Sequence, residues 1–207
     1  APNGENLGLD AAGSRFDRKG IEVDQGLRTS NRKVYAIGDV AGGLQFTHVA
    51  GYQAGLVIRS ILFRMPVKMN DTVVPWVTYT SPELGHIGMT VTEANRAYSG
   101  AVRVLTADYD GNDRAKAEGV TKGRLKLIVG PGGRLAGADI VGAQAGEILN
   151  LLSLALSKKM RMKDLAGFIA PYPTLGELAR RAAISYYADA PKNVWLRRLL
   201  ALLRKFG

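Results

Sequence analysis

The stretch Val34–His48, with the sequence VYAIGDVAGGLQFTH, constrains the fold of this chain more than any other. Its first residues, Val34–Ile37, are β-branched, aromatic or small, which is the composition of a buried strand. A Gly-Asp pair ending in Asp39 follows, and Thr47 is the predicted N-cap of a helix. The pattern predicts a carboxylate at the carboxyl edge of a sheet, where it could bind sugar-like hydroxyls of a ligand. A simple turn has the same composition and is the alternative.

The composition is that of an ordinary α/β or α+β protein. The 207 residues are 46% hydrophobic and 22% charged, enough to form a core in one or two domains. No apolar run approaches the roughly 20 residues of a transmembrane helix, and no signal-peptide pattern is present. The sequence opens on APNGENLGLD without a methionine, so we expect a fragment. Because it contains no cysteine, no disulfide or thiolate nucleophile lies within it.

The formal net charge of +10 indicates either an acidic partner or a generally basic surface, and the second interpretation is the simpler one. Cations are concentrated only from Arg180 onward, where Asp189 is the single acid of the charged cluster. No basic motif with interleaved aromatic residues is present, so nucleic-acid binding is not expected.

Hydrophobic periodicity predicts the order of elements along the chain. Two long helices are expected, over Thr47–Phe63 and Ala145–Met160, and a short one over Glu93–Tyr98 capped by Thr92. A linker is expected over residues 65–72. Strands are expected over residues 20–24, 73–80, 102–108, 124–129 and 134–141, with a turn and helix-start signal at residues 81–83.

The glycine-rich stretch after residue 129 and the two histidines are assigned structural roles. Gly130–Gly133 joins two predicted strands and has no Lys-Ser/Thr ending, which favours a hairpin turn over a phosphate loop. His48 and His86 are expected to be satisfied by nearby backbone, and two isolated histidines do not form a metal site. No G-x-G-x-x-G follows a strand, so no dinucleotide-binding unit is expected within this chain.

The stretch from Ala170 to Glu177 combines proline-enforced extended backbone with a helix start. Pro171 and Pro173 favour an extended approach, and Thr174 is placed to begin a helix over Leu175–Tyr187.

Three of these stretches resemble the pyridine nucleotide-disulfide oxidoreductases, which include dihydrolipoamide dehydrogenase, glutathione reductase and mercuric reductase. They are AIGD, similar to the second flavin-binding segment; PWVTYTSPELGHIG, similar to the start of the interface domain; and PYPTLGE, similar to a loop before the last helix. The resemblance extends to about Asp189. It implies an α+β protein, with residues 1–65 as the end of an FAD-binding α/β domain. Residues 72–190 would be the dimerisation domain, an antiparallel sheet with flanking helices.

The resemblance also implies a flavin site. The carboxylate of Asp39 would bind the ribityl hydroxyl of FAD. The backbone of Gln45, Phe46, Thr47 and His48 would hold the flavin, with the last two amides at its pyrimidine edge.

The third stretch departs from most of the family's disulfide reductases, which carry a histidine at the position of Tyr172. That histidine enters the partner subunit's active site as acid-base catalyst and is oriented by the glutamate at the position of Glu177. A tyrosine, with an ordinary pKa of about 10, is mainly a hydroxyl donor, which argues against ordinary dihydrolipoamide reduction. Mercuric reductases also have a tyrosine here, but with a further cysteine pair that this sequence lacks. The alternative is that Tyr172 is an interface aromatic and Glu177 a solvated helix residue.

The resemblance implies a homodimeric, cytoplasmic FAD-dependent oxidoreductase that takes electrons from NAD(P)H and passes them to a disulfide, a metal ion or another acceptor. The nicotinamide site would lie outside this chain, and the chain alone would be inactive. The sequence leaves open the acceptor, the choice between NADH and NADPH, and an upstream cysteine pair. The alternative is a non-catalytic dimerisation or membrane-associated interaction module.

Residues 191–207 depart from the family pattern and predict a basic amphipathic helix. Its apolar side is expected to contain Trp195, Leu199, Leu202, Leu203 and Phe206. Such a helix could contact an anionic membrane surface or pack on its own dimer.

Overall fold

The chain folds into two units, Ala1–Asp71 and Thr72–Gly207, in a computed structural model that describes residues 2–192 and 194–205. The predicted Phe206 side chain therefore lies outside the described residues. None of the helices in the described ranges is long and apolar enough to cross a membrane.

The smaller unit consists of a hairpin whose two strands have two residues each, a tight turn and one long helix. Strand β1, Phe16–Asp17, pairs antiparallel with β2, Gly20–Ile21, and a 3₁₀ turn covers Gly38–Ala41 before helix α1, Thr47–Phe63. A small core joins these elements; its buried members are Leu9, Ile21 and Ala36, with Val23, Val40 and Ala41 packed against them.

The predicted strand over Val34–Ile37 is wrong, because the structure describes these residues and has no strand there. Tyr35 makes only an isolated bridge to Arg28 within the described residues. The backbone N–H of Ala36 donates to the Leu27 carbonyl at 3.2 Å. The backbone of this segment therefore bonds to a loop and not to a neighbouring strand. The predicted strand over residues 20–24 is likewise reduced to β2.

Helix α1 confirms the predicted range, but its predicted N-cap is wrong. Thr47 is already helical, and the N-cap is Phe46, whose carbonyl accepts the N–H groups of Val49 and Ala50 at 3.0 and 3.1 Å. No side chain caps this end. One face of the helix is buried through Val49, Gln53, Leu56 and Ser60, whereas Ile58, Ile61, Leu62 and Phe63 are exposed.

The larger unit is built on a five-stranded antiparallel sheet with the order β3-β4-β7-β6-β5. This confirms the α+β class and the antiparallel sheet. The strands are β3 Trp76–Thr78, β4 Glu83–Gly88, β5 Arg103–Asp108, β6 Arg124–Gly130 and β7 Arg134–Gly142. The turn between β6 and β7 contains Pro131–Gly133, so the predicted hairpin is confirmed. The helix-start signal before Glu83 is wrong, because β4 begins at that residue.

Helices cover both faces of this sheet. The helices of this unit are α2 Val91–Ala97, α3 Asp113–Ala117, α4 Ala145–Ser157, α5 Met162–Gly167, α6 Glu177–Ser185 and α7 Val194–Leu203. The main core lies on one face, where strand residues such as Leu125 and Leu127 pack with α4, α5 and α6. On the other face Ile128 and Ala136 pack with Ala94 of α2.

The start of α2 differs from its prediction by two residues. Thr90, not Thr92, is the N-cap: its Oγ1 accepts the Glu93 N–H at 3.2 Å, and the Glu93 carboxylate accepts the Thr90 N–H at 2.8 Å. This reciprocal capping box satisfies two amides that a helix start leaves without partners.

A row of charged side chains crosses three neighbouring strands on one sheet face. His86, Asp139 and Lys126 stand opposite one another in register. The His86 Nδ1 lies 2.6 Å from one Asp139 oxygen, and the Lys126 Nζ lies 2.5 Å from the other. His86 Nε2 is 3.0 Å from the Gly88 carbonyl, so nearby backbone satisfies one ring nitrogen as predicted, whereas the Asp139 contact of the other nitrogen was not predicted. The hydrogen bond and charge of Asp139 raise the pKa of His86 above its ordinary 6.5, although burial opposes this.

We expect the His86 imidazole to titrate above pH 6.5 when followed by NMR, and Asp139→Asn to lower its pKa. Because the pKa is raised in the folded state, protonated His86 contributes stability that is fully present below pH 6.5. That contribution is lost as the pH rises through the raised value. The lowered pKa of Asp139 has the opposite sign: its contribution is present above pH 3.8 and is lost as the pH falls through the lowered value. The control Asp110→Asn, on an exposed carboxylate, should leave the midpoint unchanged. A midpoint at or below 6.5 in the unsubstituted chain contradicts this assignment.

Candidate functional site

The Asp39 carboxylate is exposed on the tight turn of the smaller unit. Ile37 leaves the preceding segment in an extended conformation, with φ −138° and ψ 160°, and Gly38 then adopts a left-handed φ of 68°. The carbonyl of Asp39 accepts the Gly42 N–H at 3.0 Å, which closes the turn. Within residues 2–192 and 194–205 no hydrogen bond or ion pair reaches the Asp39 carboxylate. It is therefore available to a ligand.

Two contacts hold this turn against α1. A Cβ added to Gly38 would lie 3.1 Å from the Ala50 Cβ, so glycine permits both the positive φ and the close approach. The Gly38 N–H donates to Gln53 Oε1 at 2.6 Å, and Gln53 Nε2 lies 3.1 Å from Met69 Sδ. Sequence reasoning assigned no role to Gln53. The available signal was a glutamine within the apolar stripe of the helix.

The predicted backbone segment Gln45–His48 enters α1 beside the Asp39 turn, because Ala50 belongs to the first turn of this helix. Gln45, Thr47 and His48 are exposed, and Phe46 is half-buried. The Phe46 and His48 rings stack with centroids 5.2 Å apart. The structure thus brings the predicted carboxylate and the predicted helix start to one place in the smaller unit.

We expect Gln53→Leu to lower the free energy of unfolding by about 1–3 kcal/mol, because it leaves the buried Gly38 N–H without an acceptor. The matched control is Gln25→Leu on an exposed side chain, which should change stability by less than about 0.5 kcal/mol. Chemical denaturation followed by circular dichroism measures both. Equal stability of the two variants would show that this hydrogen bond does not anchor the turn.

The second candidate group, the Tyr172 hydroxyl, lies on the segment between α5 and α6 of the larger unit. Its side chain is 72% exposed, and its hydroxyl donates to Asp113 Oδ2 at 3.0 Å. The hydrogen bond and charge of Asp113 raise the pKa of Tyr172 above its ordinary value. The phenol therefore remains protonated at neutral pH, with its O–H donated to Asp113.

Glu177 contacts the backbone of this segment and makes no hydrogen bond to Tyr172 among the described residues. Its carboxylate accepts the Thr174 N–H at 3.3 Å, and Thr174 Oγ1 donates to the Pro171 carbonyl at 2.8 Å. The predicted helix start at Thr174 is wrong, because α6 begins at Glu177 after Gly176 as N-cap.

Asp113 and Asn112 are the residues that sequence reasoning missed. The buried Asn112 side chain caps α3 by accepting the Ala115 N–H at 2.9 Å. Its amide also donates to the Thr174 carbonyl at 3.0 Å, so it connects α3 to the Tyr172 segment. The available signal was the Asn-Asp-Arg-Ala sequence, which has the composition of a helix start.

The predicted site residues fall into two sets on different units: Asp39 with residues 45–48, and Tyr172 with Glu177. No group of three or more metal-binding side chains occurs in the part of the chain that the structure describes.

The larger unit is an antiparallel sheet with flanking helices, and the smaller unit presents a carboxylate on a glycine turn beside a helix start. Both units match models of one family of oxidoreductases. Residues 74–183 match the dimerisation domain of the pyridine nucleotide-disulphide oxidoreductases, and residues 1–54 match the pyridine nucleotide-disulphide oxidoreductase pattern. This chain belongs to that family.

Named relatives agree with the assignment. A mercuric reductase of Staphylococcus aureus is 35% identical over 194 residues, covering 92% of this chain and 35% of the relative. A dihydrolipoyl dehydrogenase of Chlorobaculum parvum is 32% identical over 182 residues, covering 87% of this chain and 39% of the relative. The chain thus spans less than half the length of these relatives.

Solved structures share the fold. LpdA from Mycobacterium tuberculosis superposes with a TM-score of 0.83 at 26% identity, covering 90% of this chain and 41% of that one. The HOCl-induced flavoprotein disulfide reductase RclA from Escherichia coli gives a TM-score of 0.80 at 28% identity, covering 88% and 42%.

Proposed function

We propose that this chain is part of a homodimeric, cytoplasmic FAD-dependent oxidoreductase that takes electrons from NAD(P)H and reduces a disulfide, a metal ion or another acceptor. Residues 1–65 would complete its FAD domain, and residues 72–190 would form its dimerisation domain. The observation that carries this proposal is the exposed carboxylate of Asp39, held beside the first turn of α1 in a chain of this family.

The residues of the smaller unit fit FAD chemically. The Asp39 carboxylate accepts hydrogen bonds and has no protein partner among the described residues, which suits a ribityl hydroxyl. The start of α1 lacks a side-chain cap, so backbone at Gln45–His48 could bind the polar edge of a flavin. Bound FAD would supply reversible two-electron chemistry. The NAD(P)H site would lie outside this chain, which has no G-x-G-x-x-G motif after a strand.

In the larger unit we propose that the Tyr172 hydroxyl exchanges its hydrogen bond to Asp113 for one to a group in the partner subunit's active site. Its exposure and its raised pKa support a neutral hydroxyl donor. Asp113 would accept the O–H of Tyr172 until that exchange and would keep the phenol protonated, and Glu177 would hold the backbone from which Tyr172 projects. Because the 207 residues contain neither a cysteine nor a dinucleotide-binding motif, the chain alone would be inactive.

The full-length protein with Asp39→Ala should bind FAD about 10- to 100-fold more weakly, since a hydrogen bond to a charged group contributes about 1.5–3 kcal/mol. Flavin absorbance of the purified protein and fluorescence titration of the apoprotein measure this. Asp10→Asn, on an exposed carboxylate of the same unit, is the control and should retain normal affinity. Unchanged affinity in Asp39→Ala would refute the proposed flavin contact.

Tyr172→Phe in the full-length protein should lower kcat/KM about tenfold or more while flavin content stays normal, because only the hydroxyl donor is lost. Asp113→Asn should shift the alkaline limb of the pH profile to lower pH, since Asp113 raises the pKa of Tyr172. Asp110→Asn removes a nearby exposed charge and should shift neither. If Asp113→Asn lowers the rate without moving the pH profile, Asp113 is structural only.

The second candidate is a non-catalytic dimerisation module, which the larger unit favours by forming a complete sheet and helix fold with apolar side chains left exposed. They include Leu154, Ile169, Tyr172 and Ile184. A full-length product without bound flavin that still forms a dimer would support this function. A yellow protein that oxidises NAD(P)H would support the enzyme.

With either function we propose a peripheral membrane contact through residues 191–207.

A further inference from the structure

Helix α7 separates its cations from its leucines. At about 100° per residue, Arg197, Arg198, Arg204 and Lys205 project within an arc of roughly 120°. Arg204 and Lys205 follow the helix in a turn. Their backbone N–H groups donate to the carbonyls of Leu200 and Leu202 at 3.0 Å, so the helical path of the backbone continues through them. Residues 190–205 contain no acidic side chain. The cationic arc is therefore uncompensated within its own segment.

The opposite side of α7 is apolar and exposed. Each described large side chain there is between 47 and 77% exposed: Trp195, Leu199, Leu200, Leu202 and Leu203. The Arg198 guanidinium lies 5.8 Å from the Trp195 ring centroid, which places an aromatic ring at the border between the two sides. Indole rings at such a border favour the headgroup region of a bilayer.

We infer that α7 lies flat on an anionic lipid surface, with its leucines at the acyl boundary and its four cations among headgroup phosphates. The ten residues of α7 extend about 15 Å, half the hydrocarbon thickness, so the helix can lie on a bilayer but cannot cross it. Charge complementarity decides between occupants. A second α7 with its following turn would bring four more cations and no acidic side chain to this segment, whereas anionic lipid neutralises the cations.

This inference rests on the membrane contact proposed above and specifies that the lipid is anionic. It does not depend on the proposed catalytic activity. The full chain is sedimented with vesicles of phosphatidylcholine alone and with about 30% phosphatidylserine added. We expect binding only to the second type, with loss at high salt. Arg197→Gln with Arg198→Gln should weaken it at least tenfold, since each cation near such a surface contributes about fivefold. The matched control is Lys158→Gln with Lys159→Gln, two exposed cations after α4, which should bind normally.

A second variant, Leu199→Ser with Leu203→Ser, tests the apolar side without touching the core, because both side chains are exposed. It should also lose binding to phosphatidylserine vesicles while remaining folded by circular dichroism. Equal binding to both vesicle types would leave a membrane contact but overturn its anionic lipid chemistry. No binding to either would overturn the contact itself. Analytical ultracentrifugation without lipid covers the remaining occupant: if the leucine variant dissociates an oligomer of the unsubstituted chain, α7 packs on a second copy and the inference is wrong.

Discussion

The larger unit depends on the antiparallel pairing of β6 with β7. In this register Leu125 stands opposite Ile140 and Leu127 opposite Ala138, so one face of the hairpin is continuously apolar. Helices α4, α5 and α6 pack there and form the main core. The intervening positions place Lys126 opposite Asp139 on the other face. The segment that carries Tyr172 leads into α6, and α6 belongs to this core. The core therefore holds the carboxyl-terminal end of that segment in place.

Both candidate sites depend on a buried side-chain amide next to the group that would act. Gln53 accepts the Gly38 N–H immediately before Asp39. Asn112 precedes Asp113 and donates to the Thr174 carbonyl near Tyr172. A buried amide that satisfies backbone groups resists displacement, because breaking its bonds leaves desolvated polar atoms unpaired. The exposed carboxylate and the exposed hydroxyl are thus held in place by buried polar side chains.

Local errors in the sequence predictions share one cause. Thr47, Thr92 and Thr174 were each expected to begin a helix, and in each case the N-cap is a different residue. Threonine at a cap needs extended backbone and an amide within reach, and both depend on how the preceding segment packs. The strand expected over Val34–Ile37 failed similarly: its composition suits a sheet, but it pairs with residues 27–29 through an isolated bridge and two backbone hydrogen bonds and forms no regular ladder among the described residues.

The sequence by itself determined the ranges of α1 and α4 closely, the strands of the β5, β6 and β7 region, the hairpin between the last two, and the family. Periodicity and turn composition act over a few residues, so they can be read without coordinates. Only the tertiary structure decided that Tyr172 bonds to Asp113, 59 residues earlier, instead of Glu177, five residues later. Nothing local encodes that pairing, because it arises where the sheet and the Asn112 hydrogen bonds bring α3 to the loop before α6.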